Sequence, residues 1–194
     1  MIDSIQYEHH YLESENPVTI ETGKVLGKVT YKMADKACSN HRLRNGDAAY
    51  LEEGTNIYEI KGYPTSLVVA ADNLAYVVDT NWKAETAGEL YPLDKLVKNI
   101  YMNSLEDGER IHTFSQASKD EFLSAFYNLE LEHVQSLVNK GKLEGNRVFL
   151  EIELNNGISF RELYWRDSNT FHFGAIGNNE IKEIINEEIL KIKK

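Results

Sequence analysis

Residues 146–165, NRVFLEIELNNGISFRELYW, constrain the fold more than any other stretch of the chain. Two alternating runs flank Asn155-Asn156-Gly157, a three-residue loop with glycine at the position that needs a left-handed backbone. That loop sets Leu154 opposite Ile158, Ile152 opposite Phe160 and Glu151 opposite Arg161. Apolar side chains then meet apolar ones, and acid meets base. A slip of one residue would set Glu151 against Glu162, so the charges select the register. A hairpin this well specified needs further strands or helices to cover its apolar face.

Those partners are legible on both sides. Upstream, KNIYMN and RIHTF flank Asp107-Gly108, a turn dipeptide, which favours strands over a helix built on Leu93, Leu96, Val97 and Ile100. SKDEFLSAFYNL predicts a helix, with Ser118 and Glu121 as a capping box and Phe122, Leu123, Phe126 and Tyr127 as its apolar stripe. LELEHV alternates like a strand, and GKLEG breaks the chain before the hairpin. Downstream, Asn178 caps a final helix whose buried stripe is Ile181, Ile184, Ile185 and Ile192.

The first half has a different texture. VTIETGKVLGKVTYKM predicts two short strands or one strand bent by a bulge at Gly23 or Gly27. Asn45-Gly46 is a hairpin signal. Gly54 and Gly62 bracket a strand over NIYEI, and Pro64 holds Tyr63 extended. SLVVAA and LAYVVDT are strands joined at Asp72-Asn73. The chain is therefore expected to be α+β: a polar tail over 1–16, a small antiparallel β meander (barrel or sandwich) over 17–80, and an antiparallel sheet with two helices over 81–194.

Composition excludes some functions. With 21 Lys and Arg against 31 Asp and Glu, the net charge is −10, which opposes binding to nucleic acid or to anionic lipid through a basic patch. One cysteine, Cys38, permits neither an intramolecular disulfide nor a Cys-rich zinc site. No apolar run reaches the length of a membrane span, and the first residues lack the charged start and apolar centre of a leader. Either the chain is cytoplasmic or a leader was removed.

Candidate chemistry is sparse. Glu151 and Glu153 share one strand face, but the alternation predicts a solvated ladder with Arg161, not the desolvated pair a glycosidase needs. Glu8, His9 and His10 cannot easily hold one ion on a strand, and Glu130 with His133 lacks a second copy, so no metal site is expected. GAIGNNE has neither dinucleotide nor P-loop spacing, and no cofactor is implied. No serine or cysteine has a base in readable relation to it, so no catalytic residue is assigned. The candidate binding residues are Tyr164, Trp165, Arg166, Asp167 and Asn169, where a strand runs into a loop, together with Tyr58 and Tyr63 as an aromatic pair.

Three segments carry a resemblance: GDAAYLEEGTNIYEIKGY (46–63), LEGNRVFLEIELNNGISFRELYWRDSNTF (143–171) and GAIGNNEIKEII (174–185). They resemble a family of lipoproteins and secreted proteins of Gram-positive bacteria that has no established activity. The resemblance implies a location on the outer side of the cell membrane, with a leader and lipidated cysteine missing from this chain. It supplies no site residues. A non-catalytic envelope module that binds a protein or cell-wall component is the resulting expectation. Its alternatives are a hydrolase of cell-wall sugar or peptide with a site at the domain junction, and a cytoplasmic scaffold domain.

Overall fold

Hydrophobic alternation broken by left-handed turns organises the described residues up to Lys83 mainly into strands. The computed structural model describes residues 1–10, 18 and 20–192. They fall into two compact units, the first holding the described residues up to Lys83 and the second those from Ala84 onward. Of the expected 1–16 tail, residues 11–16 lie outside the described ones.

The first unit contains β1 (Ile5–Glu8), β2 (Thr22–Lys28), β3 (Tyr31–Lys32), a helical turn α1 (Met33–Lys36), β4 (Asp47–Ala48), β5 (Asn56–Ile60), β6 (Val68–Ala71) and β7 (Leu74–Asn81). Five strands form one sheet in the order β1-β7-β6-β5-β2, so β5, β6 and β7 are a meander with β1 and β2 as edges, and among the described residues no barrel closes. Within the stretch read as a tail, β1 pairs antiparallel with β7 because Ile5 is buried and Tyr7 packs on the core. That core is Val29, Ile57, Val69 and Ala71. Asp72 and Asn73 take φ of 50° and 61°, the left-handed pair that a two-residue hairpin turn requires. Gly54 and Gly62 also take positive φ and bracket β5 as expected.

Of the two readings of the stretch after Pro17, the bent strand holds; the Asn45-Gly46 hairpin does not form. β2 is one strand bent by register shifts, between Thr22 and Val25 and between Val25 and Gly27. Asn45-Gly46 makes a turn, with the Asp47 amide donating to the Arg44 carbonyl, but not a hairpin. The two-residue strands beyond it, β3 and β4, pair in parallel. HRLR before the turn offers no alternating apolar partner, so the turn chemistry acts alone. Cys38 is exposed and free.

The second unit is the α+β half. It contains α2 (Ala87–Leu90), β8 (Val97–Asn103), β9 (Arg110–Thr113), α3 (Gln116–Phe126), α4 (Val134–Asn139), β10 (Arg147–Leu154), β11 (Ser159–Trp165), β12 (Thr170–Phe171) and α5 (Asn179–Ile192). The sheet order is β12-β11-β10-β8-β9. β10 and β11 pair in the predicted register, with Glu151 opposite Arg161 and Ile152 opposite Phe160. Gly157 takes φ of 87° in the loop.

One face of this sheet carries Ile100, Met102, Leu150, Ile152, Phe160 and Tyr164, all nearly or fully buried. The aromatic layer on it joins Phe122 and Phe126 of α3 to Phe171, and stacks Tyr91 on Phe160 at 5.2 Å. α3 begins three residues earlier than expected: the Ser115 side chain, not Ser118, caps it by accepting from the Ser118 amide. In α5 the cap is Asn178, whose Oδ1 accepts from the Ile181 amide at 2.9 Å. Its buried stripe is Ile181, Ile185, Glu188 and Ile189, while Ile184 and Ile192 stay half-exposed. LELEHV supplies only isolated bridges at Glu130 and Leu131 before His133 caps α4. No described helix is long and apolar enough to cross a membrane.

Candidate functional site

The opposite face of the second sheet gathers most of its charge. Register places Asn99, Tyr101 and Asn103 of β8 beside Glu153, Glu151 and Phe149 of β10, with Arg161 and Ser159 beyond them on β11. Glu151 and Glu153 are 1% and 2% exposed, so the expected solvated ladder is overturned. Alternation does put both carboxylates on one strand face, but the long side chains of Tyr101, Asn103 and Arg110 cover them.

Glu151 accepts from Arg110 Nη2 at 2.5 Å and from Asn103 Nδ2 at 2.7 Å, and Arg161 Nη2 stands 3.6 Å from its other side. Glu153 accepts from the Tyr101 hydroxyl at 2.6 Å, from Asn99 Nδ2 at 2.9 Å and from Lys98 Nζ at 3.1 Å. The Arg110 guanidinium lies over the Tyr101 ring, 3.9 Å from its centre. Burial pushes the Glu151 carboxyl up, but Arg110, Asn103 and Arg161 together outweigh it and hold the group below the ordinary carboxylate range. Burial likewise opposes ionisation of Glu153, and Tyr101, Asn99 and Lys98 overcome it. Both groups are thus anions with their partners in place, and neither is poised as a general acid.

The five candidates at the end of β11 are drawn into the scaffold. Tyr164 is buried and its hydroxyl donates to Asn169 Oδ1 at 2.7 Å; burial pushes that phenol up to about 12. Asn169 Nδ2 donates to the carbonyls of Gly177 and Asn178, tying the β12 loop to the start of α5. Trp165 is buried and stacks on His172 at 6.0 Å. Arg166 Nη2 reaches Asn186 Oδ1 on α5 at 3.0 Å, and Asp167 accepts from the Asn146 amide at 2.9 Å.

Tyr58 stands elsewhere, in the first unit. It lines a half-open groove of about 620 Å³ together with apolar Val18, Ile20, Ala70 and Ala71 and polar Thr22, Thr55, Asn56, Asp72 and Asn73. Three features of the sequence build this groove. Ala70 lies directly across from Tyr58 and leaves room beside the ring. The shifted register of β2 bends that strand where it passes Thr22 and Val25. The left-handed turn at Asp72 and Asn73 closes one end. Asn56 Nδ2 donates to the Tyr58 hydroxyl at 3.2 Å. Tyr63 sits half-buried in the turn after β5, outside the groove walls.

The two clusters differ in one decisive respect. Each carboxylate of the second-unit face is saturated with partners. In the groove, Thr22, Asn56, Asp72 and Asn73 are exposed to solvent. Of the groove residues, only Tyr58 stood out from sequence, through its place between two glycines. Thr22, Thr55, Asn56, Asp72 and Asn73 come together through strand pairing, which no local pattern announces. Among the described residues, no group of three or more His, Cys, Asp or Glu side chains can hold a metal ion.

No protein family, curated protein or solved structure matches the chain.

Proposed function

We propose that the chain is a non-catalytic binding module of the bacterial envelope, whose ligand sits in the groove beside Tyr58. The observation that carries this proposal is the groove itself, where the half-buried Tyr58 ring and apolar Val18, Ile20, Ala70 and Ala71 stand beside Thr22, Thr55, Asn56, Asp72 and Asn73. A pocket of about 300–1,000 Å³ with a few convergent polar groups is the ordinary form of a small-ligand site. The saturated carboxylates Glu151 and Glu153 support binding over hydrolysis, because a glycosidase needs one carboxyl raised and protonated. The envelope placement rests on the resemblance of segments 46–63, 143–171 and 174–185 to lipoproteins and secreted proteins.

Co-sedimentation of the purified chain with isolated cell walls tests the proposal. Wall-dependent pelleting that falls when Thr22 and Asn56, exposed on the groove wall, are both changed to alanine, with the thermal midpoint kept, is expected. No pelleting with walls, or turnover of a wall substrate that is lost in Glu151→Gln, would overturn it.

A further inference from the structure

We infer that β9, the outer strand of the second sheet, is a docking edge for an extended basic segment of another protein, which adds to the sheet as a further strand. β9 ends the sheet order, so only β8 pairs with it. The Phe114 amide donates to the Ile100 carbonyl, and Thr113 and His112 stand opposite Tyr101 and Met102. Main-chain groups of an antiparallel strand alternate in direction, so the His112 and Phe114 amides turn toward β8. The Ile111 carbonyl and both main-chain groups of Thr113 therefore turn away from it. Among the described residues nothing bonds to these three groups, and both residues are exposed.

Sheet edges are ordinarily guarded by lysine, proline, bulges or brevity. β2 has its register broken twice and carries exposed Lys24 and Lys28, and β12 is two residues long. β9 has one register shift, at its Arg110 end, and runs regularly from His112 to Phe114. It contains no lysine or proline, and Arg110 is turned inward onto Glu151. Ile111 instead offers an apolar side chain that is 49% exposed. The contact of His112 with Glu188 ties the strand to α5, so the edge is held in place before a partner arrives.

Charge selects the partner. The acidic residues between Ser104 and Glu121 are Glu106, Asp107, Glu109, Asp120 and Glu121, all exposed. The stretch has one arginine and one lysine, and both are engaged. Arg110 pairs with Glu151, and the buried Lys119 donates to the carbonyls of Val97 and Lys98. Acids in the turn before β9 and at the start of α3 thus flank the open edge at both ends. A second copy of the chain fits this edge poorly. Antiparallel pairing of two β9 strands would set Glu106 and Glu109 of one copy toward Asp120 and Glu121 of the other, acid against acid. An extended segment with lysine or arginine near its ends and a β-branched residue opposite Ile111 satisfies both the ladder and the charge.

The test titrates the intact, nitrogen-15-labelled chain with the peptide Lys-Val-Lys-Val-Lys-Val-Lys, with its glutamate counterpart, and with the lysine peptide N-methylated on alternate residues. Saturable shifts of the Ile111, His112 and Thr113 amide signals are expected with the first peptide alone, and weaker binding at high salt. Glu106→Lys combined with Glu109→Lys should weaken binding about tenfold and keep the thermal midpoint, since both side chains are exposed. Thr113→Pro deletes an outward N–H that an edge strand can lose, and should weaken binding about threefold or more. If that variant does not fold, the charge reversal decides. Equal binding of the N-methylated peptide would show attraction of charge without strand addition, and overturns the inference. Equal binding of the glutamate peptide, silence of these amides at millimolar peptide, or binding indifferent to the charge reversal overturns it too. So does a dimer in sedimentation whose formation moves the same amides, because a second copy then holds the edge. None of these outcomes bears on the groove beside Tyr58, which belongs to the first unit.

Discussion

His112 Nε2 on the edge strand β9 lies 2.5 Å from Glu188 Oε2 on the terminal helix α5. The Glu188 carboxylate also accepts from Lys191 Nζ at 2.5 Å and is nearly inaccessible. It stands in the buried stripe of α5, between Ile185 and Ile189, where an apolar residue would be the simpler choice. Burial pushes its carboxyl up, yet Lys191, Ser118 and His112 keep it below the usual range. Glu188→Gln should therefore destabilise the fold by about 1.5–3 kcal/mol, the range for hydrogen bonds to a charged group. Lys191→Ala should cost less than about 1 kcal/mol, because that side chain is half-exposed. Urea unfolding of both variants checks the order.

Acid should unfold the protein through the same kind of group. The carboxyls of Glu151, Glu153 and Glu188 are all depressed in the folded state. Such groups contribute stability in full above their unfolded value, about 4.3, and lose it as pH falls through the lower folded values. The stability gap between wild type and Glu153→Gln should thus be widest near neutrality and narrow below pH 4. Urea midpoints measured at pH 7 and pH 3 read this directly. A gap that widens at low pH would contradict the assignment.

At the alkaline end the tyrosines separate. Tyr7, Tyr127 and Tyr164 are each pushed up to about 12 by burial, with Asp3 adding to the effect on Tyr7 and Asp94 on Tyr127. A raised phenol stabilises the fold below its unfolded value of about 10, and this stability is lost as pH rises toward 12. Phenolate absorbance should therefore rise in two phases, the later one coinciding with unfolding. Tyr164→Phe should reduce the later phase and cost about 1 kcal/mol through the bond lost to Asn169.

Two glycines predict opposite outcomes. A Cβ at Gly177 would fall on the Asn169 side-chain amide, which is already committed to Tyr164 and to the Gly177 and Asn178 carbonyls. Gly177→Ala should destabilise by about 1–3 kcal/mol. At Gly27 a Cβ meets nothing, and its φ is not in the left-handed region. Gly27→Ala should be neutral or stabilise by up to about 1 kcal/mol. Thermal midpoints of the pair test whether local space decides these sites.

Much of the architecture was readable because short signals agreed with longer ones. Asn155-Asn156-Gly157 joined two runs whose charges matched, and β10 and β11 pair as that pattern requires. Asp72-Asn73, Asp107-Gly108 and the Asn178 cap worked for the same reason. Asn45-Gly46 lacked such support and turned the chain without making a hairpin. The short helices α2 and α4 span too few residues for a period to emerge, although Thr86 and Glu89 form a capping box that was there to be seen. Burial of Glu151 and Glu153 was hidden, since what covers them comes from Tyr101, Asn103 and Arg110, far off in sequence. The groove was hidden likewise, apart from Tyr58.

The strand order of the second unit has a consequence for how the molecule reaches its native state. β10, β11 and β12 follow one another along the chain, so their pairings close short loops and form early. β8 must dock on β10 across α3 and α4, a slower, long-range step. Until it does, β10 is an unpaired edge rich in Phe149, Leu150, Ile152 and Leu154. The carboxylates interleaved among those residues, Glu151 and Glu153, then carry unneutralised charge. They repel a second nascent edge of the same kind, a gatekeeping effect against aggregation. Once β8 arrives with Asn99, Tyr101 and Asn103, the same two charges become anchors of the sheet.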